Sequence, residues 1–166
     1  MRFLRQGRWE YVERHNCTGI VIVVAVNKDG KLILIEQLRI PVAKKVIEFP
    51  AGLVNDRKLK TKESLITAAK RELLEETGYI ADRMFKIMSG PISAGSSADI
   101  VTILKAEGIR KVDHGGGDHT EDITVHEVPL AKIEAWLILK QKRGYLVDPK
   151  IYAGLYFLKK YNGKDF

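Results

Sequence analysis

The stretch SLITAAKRELLEETGY, residues 64–79, limits the fold more than any other part of the chain. Ser64 suits a helix N-cap and Gly78 a helix stop, so the spacing predicts a helix over 65–77. At 100° per residue Ile66, Ala69 and Leu73 fall within about 60° of one another, an apolar stripe that has to be buried against a sheet. Glu72 and Glu76 lie about 40° apart and Glu75 about 60° to the other side, so three carboxylates share one face near the C-terminal end. Like charges four residues apart cost ~0.2–0.5 kcal/mol, and an anion in the last turn opposes the helix dipole by about 0.3–1 kcal/mol. Selection for helix stability alone would favour lysine there. Ala68, one turn earlier on that face, leaves space beside the acids.

Around this helix the pattern is of short strands. WEYVERHN (9–16), TGIVIVVAVN (18–27) and KLILIEQ, with the Lys28-Asp29-Gly30 turn before the last, predict a hairpin or meander. KKVIEFP (44–50) predicts a further strand ended by Pro50, and others are expected over 84–89, 98–106 and 121–128. HGGGDHTED (114–122) is a Gly-rich polar loop between two of these strands. Two helices are expected to close the chain, over 130–142 and 148–161, the second begun by Asp148 as N-cap and Pro149 at the first helical position. Strands interleaved irregularly with helices predict an α+β fold, a mixed sheet packed between helices. Without repeats or low-complexity linkers, the 166 residues are read as one domain spanning 1–166.

The longest apolar run, GIVIVVAV (19–26), is a core strand, far short of the ~20 residues of a membrane span. The N-terminal MRFLRQGRWEYVER lacks the apolar segment of a secretory signal, so a cytoplasmic protein without membrane attachment is expected. Cys17 stands alone and is expected to be a buried small hydrophobe. His15, His114, His119 and His126 have no metal-ligand spacing. The net charge of +7 suits an anionic partner, but RKLKTK has no aromatic interleaving, so nucleic acid is not the expected one.

Taken alone, three glutamates on a helix describe a solvated acidic face neutralised by an arginine such as Arg71. Clustered carboxylate oxygens also suit a hard divalent cation, Mg²⁺ or Mn²⁺, which commonly shares its shell with a substrate phosphate. The context favours the cation. Glu63, seven residues, then Arg71-Glu72-Leu73-Leu74-Glu75-Glu76-Thr77-Gly78-Tyr79 resemble the Nudix box G-x5-E-x7-R-E-U-x-E-E-x-G-U, where U is bulky and aliphatic. The first glycine is best matched by Gly52 of EFPAGLV, which leaves five extra residues before Glu63, placed within NDRKLKTK. WEYVER, QLRIPVAKKVIEFPAG and VDPKIYAGLYFLKKY are similar to the ADP-ribose pyrophosphatase branch of that superfamily. Pro91 also resembles a proline of the branch, although its neighbours depart from the usual pattern.

The resemblance implies an α/β/α sandwich around a mixed sheet, and a homodimer in which N-terminal strands, about 1–16, contribute to the partner's site. It implies hydrolysis of the diphosphate of ADP-ribose or a related nucleoside diphosphate sugar, giving a nucleoside monophosphate and a sugar phosphate. Action on dinucleotides or RNA 5′ ends, and a non-catalytic nucleotide sensor, remain alternatives; retained helix-opposing carboxylates argue against the sensor. Mg²⁺, or Mn²⁺, would be held by Glu72 and Glu76, with Glu75, the Ala51 carbonyl and Glu63 as further ligands. Glu121 is the expected general base, with Asp118, His119 and Asp122 as alternatives within the same loop. Glu75 and Arg71 complete the catalytic set, Arg71 by orienting the glutamates. Trp9, Arg14, Arg39 and Glu48 are the expected substrate-binding residues, Trp9 by stacking on a purine and the arginines by holding phosphates or ribose hydroxyls.

Overall fold

The computed structural model describes residues 1–56, 62–117 and 121–160. The stretch with three glutamates forms α1 (Leu65–Thr77). Ser64 Oγ accepts a hydrogen bond from the Thr67 N–H at 3.1 Å, and Gly78 ends the helix in the left-handed region at φ 73°. Its buried face differs from the expected stripe. Ala69 and Leu73 are buried, but so are Ala68, Glu72, Glu76 and Thr77, whereas Ile66 is 48% exposed. The helix is turned so that its carboxylates point inward, which a count of apolar positions scores as the wrong face.

The strands are β1 (Arg2–Gln6), β2 (Trp9–Glu13), β3 (Gly19–Ala25), β4 (Lys31–Arg39), β5 (Lys44–Glu48) and β6 (Ala51–Val54). They continue with β7 (Tyr79–Ile80), β8 (Arg83–Pro91), β9 (Ile100–Glu107), β10 (Arg110–Lys111), β11 (Ile123–Pro129) and β12 (Leu146–Val147). A 3₁₀ turn, Leu130–Lys132, leads into α2 (Ile133–Lys142), and α3 (Lys150–Lys160) ends the described chain. At the start of α3, Asp148 Oδ1 accepts from the Lys150 N–H at 2.8 Å, so the expected Asp-Pro start is present.

Two four-stranded sheets carry the fold, in the orders β6-β3-β9-β8 and β11-β4-β5-β12. β3–β9 and β5–β12 are parallel and the other pairs in these sheets antiparallel, so the architecture is the expected mixed one, divided between two sheets. β3 explains its unbroken apolar run by being buried on both faces. Val21, Val23 and Ala25 join Ala69 and Leu73 of α1 in one core, while Ile22 and Val24 join Leu34, Leu137 of α2 and Ile151 of α3 in the other. Helices therefore cover both sides of the strands, as the α/β/α expectation requires.

The hairpin or meander reading does not hold. The turn is there, with Asn27 Oδ1 accepting from the Asp29 and Lys31 N–H groups at 3.0 Å each and Gly30 at φ 70°. Beyond an isolated bridge between Val26 and Leu32, however, β3 and β4 part into different sheets. β2 pairs with β1 and bridges Ser97 through Val12, rather than joining β3. Cys17 is only half-buried, because it precedes β3 instead of lying in it. Among the described residues no helix is long and apolar enough to cross a membrane.

Candidate active site

β6 runs beneath α1 and places its backbone against the glutamates. The Ala51 N–H donates to Glu76 Oε2 at 2.9 Å, and Glu76 is only 2% exposed. Burial pushes its carboxyl well above the ordinary range; the negative charges of Glu72 and Glu121 add to this, against the Ala51 hydrogen bond and Arg39. Glu72 lies directly over Gly52, where a Cβ would stand 1.9 Å from the Glu72 Cδ. Burial raises its carboxyl too, although Arg71 opposes the rise.

Arg71 threads the acidic group together. Its Nη1 donates to Glu72 Oε1 at 2.6 Å and to Glu75 Oε2 at 3.2 Å, its Nε to Glu63 Oε1 at 2.9 Å, and its Nη2 to the Leu53 carbonyl at 3.0 Å. Glu63 is buried, and also accepts from the Asn55 N–H at 3.2 Å, so it faces the arginine rather than the cavity. Of the extra residues expected within NDRKLKTK, positions 57–61 lie outside the described residues.

A cavity of about 420 Å³ opens beside this group. Its lining holds the carboxylates of Glu48, Asp56, Glu72, Glu75 and Glu121 and the cations of Arg14, Arg39, Arg71 and Lys150. Arg39 Nε donates to Glu48 Oε2 at 2.7 Å, and burial still raises the Glu48 carboxyl above its usual range. Arg14 pairs with Asp99 at 3.3 Å. Trp9 is 56% exposed on the β1–β2 hairpin and does not line this cavity. The sequence reading omitted Asp56 and Lys150, both at the cavity. Lys150 follows the Asp148-Pro149 start of α3, a legible signal for a helix N-terminus but not for what that end faces. Gln37 was also missed: it lies on the same strand face as Arg39 and Glu48, and its Oε1 is buried without a hydrogen-bond partner.

The Gly-rich loop closes over the helix end. The Val112 and Asp113 N–H groups donate to the Gly78 carbonyl at 2.8 and 3.1 Å, Gly116 to Glu76 at 2.9 Å, and Gly117 to Glu75 at 3.0 Å. Carbonyls that every helix leaves orphaned are thus satisfied by this loop. Gly115, Gly116 and Gly117 all have positive φ, and a Cβ on Gly117 would lie 2.6 Å from the Glu121 carboxylate. The geometry ties Glu121 to the helix bearing Glu72, Glu75 and Glu76. Asp118 and His119 lie outside the described residues, and Asp122, which is described, does not line the cavity.

Among the described residues no three acidic, histidine or cysteine side chains converge closely enough to hold a metal ion as they stand, because Arg71 holds Glu72 and Glu75. The donor chemistry nonetheless fits a hard divalent cation: carboxylate oxygens beside one backbone segment, two of them raised by burial and mutual repulsion.

Residues 17–145 match the model of the NUDIX domain. The chain is 34% identical over 141 residues to a methanol dehydrogenase activator of Bacillus methanolicus, covering 85% of this chain and 72% of that protein. It is 37% identical over 113 residues to an ADP-ribose pyrophosphatase of Bacillus subtilis, covering 68% of this chain but 58% of that one. An ADP-sugar pyrophosphatase of Mus musculus is 33% identical, with 81% of this chain and 62% of that protein covered. A solved structure described as an ADP compounds hydrolase superposes with a TM-score of 0.69 at 22% identity, over 92% of this chain and 76% of the other, which speaks to the fold. With three quarters of its length matching the domain model, this chain is a member of the NUDIX family.

Proposed function

We propose that this protein is a divalent-metal-dependent pyrophosphohydrolase of ADP-ribose or a related nucleoside diphosphate sugar. The observation that carries the reading is one cavity lined both by the carboxylates Glu72, Glu75 and Glu121 and by the cations Arg14, Arg39 and Lys150. A diphosphate needs both: cations against its charge and oxygen donors for a metal. Relatives named as ADP-ribose and ADP-sugar pyrophosphatases support the substrate class.

Glu72 and Glu76, with Glu75 and the Ala51 carbonyl, would hold Mg²⁺ or Mn²⁺. When bound, the cation would neutralise phosphate charge and lower the pKa of a coordinated water. Arg39 and Arg14 bind and orient the diphosphate through charge-assisted hydrogen bonds. Glu121 takes the proton of the attacking water as its oxygen bonds to phosphorus and the bridging P–O bond breaks. Arg71, held by Glu63, restrains the Glu72 and Glu75 carboxylates. The exposed hairpin with Phe3 and Trp9 suits a second copy of the chain, through which Trp9 would reach the partner's cavity.

Product release from ADP-ribose, ADP-glucose, a dinucleotide and capped RNA, each with Mg²⁺ or EDTA, tests the reading. ADP-ribose or ADP-glucose is expected to give AMP only with metal. The pair Glu72→Gln and Glu76→Gln should abolish turnover with the fold intact. Product from capped RNA alone, or undiminished turnover in that variant, would overturn it.

A further inference from the structure

A second concavity, of about 310 Å³, shares no lining residue with the first. It lies where the start of β5 meets the turn after α2, and is lined by Lys44, Lys45, Arg143, Gly144 and Tyr145. Its scaffold is a buried acid. Glu36, 5% exposed on β4, accepts from Lys45 Nζ at 2.8 Å, Lys140 Nζ at 2.8 Å and His126 Nε2 at 3.0 Å. Burial alone would raise its carboxyl, but these three donors hold it down at about 2. The Lys140 ammonium is further fixed between two rings, 5.1 Å from Trp136 and 4.4 Å from Tyr145.

The local charges do not balance. One carboxylate serves two ammoniums, so Lys45 and Lys140 together retain a positive charge. Lys44 and Arg143 have no acidic partner within ion-pair distance among the described residues. Asp122 acts on Lys45 only at longer range. The C-terminal end of α2 supplies about half a negative charge, too little to absorb these cations, and Lys140 and Lys142 already occupy its last turn. Lys44, Lys45 and Arg143 border one hollow, which favours a small ligand over a polymer.

We propose that this hollow is a second anion site, separate from the acidic cavity, that takes the phosphate group of a small phosphorylated molecule. Arg143 offers a forked pair of donors to two phosphate oxygens and Lys45 closes on the third, while Lys44, across from Arg39 on the other face of β5, adds its charge at the rim. Lys45 is preset by Glu36, so little ordering is required of it on binding.

The test is an amide NMR titration of the whole chain with inorganic phosphate and then pyrophosphate, in EDTA, against sodium chloride at matched ionic strength. The Gly144 and Tyr145 signals are expected to move saturably with phosphate and not with chloride. Replacing Lys44→Ala and Arg143→Ala together should weaken that response about tenfold or more. Both side chains are exposed, so the melting temperature and the phosphate-free hydrolytic rate should stay as they are. Shifts confined to Gly52 and its neighbours, a response equal to chloride, or one untouched by the double variant would overturn the proposal. So would a response seen only with an RNA oligonucleotide or an acidic peptide.

Discussion

Gly52 has no room for a methyl group. A Cβ there would lie 1.9 Å from the Glu72 Cδ and 2.0 Å from its Oε1, and what must give way is the far end of a flexible side chain. Gly52→Ala should therefore cost little stability and much activity. We expect a melting temperature within a few degrees of the wild type and metal-dependent turnover reduced ~100-fold, as a displacement near 1 Å at reacting groups commonly causes. Calorimetry and steady-state kinetics on the same preparation check both halves; unchanged kcat would remove Glu72 from the reactive geometry. At this scale the residue types were readable from spacing, because 3.6 residues per turn sets Glu72 beside Glu76 whatever surrounds them. Which way they face was not readable. Carboxylates count as solvent-seeking in any apolar-stripe argument, and here Arg71 and the Ala51 N–H draw them inward. Lys150 lies far from the helix in sequence, and only the fold brings it to the cavity.

At the scale of elements, the turn at Asn27–Gly30 was legible and the fate of its strands was not. Turn chemistry is local, whereas β3 chooses β9 and β6, and β4 chooses β11, through contacts distant in sequence. The Gly-rich loop shows the same limit: its glycines were visible, but not that its N–H groups cap α1. Gly115 is the tightest of the loop's three glycines, since a Cβ would lie 2.3 Å from the Thr77 carbonyl carbon, and its φ of 71° disfavours any side chain. Gly115→Ala should lift the loop from the helix, lowering kcat about tenfold or more through Glu121. Hydrogen exchange should speed at the Val112 and Asp113 amides, which a purely global loss of stability would not single out. A second element-level contact is Glu36, which joins β4 to β5, β11 and α2. Glu36→Gln leaves the Lys140 ammonium buried without its counter-charge, and should cost about 3 kcal/mol in denaturant unfolding. A carboxyl lowered when folded stabilises above its unfolded value, so this gap should be full above about 4.5 and shrink as pH falls toward about 2.

For the whole molecule, the acids divide into two classes with opposite pH slopes. Glu36 and Glu127 are held below the ordinary range by lysine and tyrosine donors and favour the fold as pH rises past it. Glu48, Glu72 and Glu76 are pushed above it, chiefly by burial, and their sign is reversed. For these three the unfolded chain ionises first, near 4.5, so the native state holds more protons and loses stability as pH rises through the folded values. The chain thus keeps one set of carboxylates that strengthens it at neutral pH and another that weakens it, and the weakening set lies around the cavity. A ligand that favours the ionised form of that set should reverse the loss. Mg²⁺ or Mn²⁺ at ~100 times its dissociation constant stabilises by about 2.7 kcal/mol. For a chain of this length that corresponds to a melting shift of roughly 5–10 °C. Because protons compete with the cation, the shift should be small at pH 5 and grow toward pH 8. Glu76→Gln should raise the melting temperature of the EDTA-treated protein and abolish most of the metal-dependent gain. Thermal melts of both proteins, with EDTA or Mg²⁺ across that range, decide it: a wild type indifferent to divalent cations would leave the buried carboxylates without the role their strain implies.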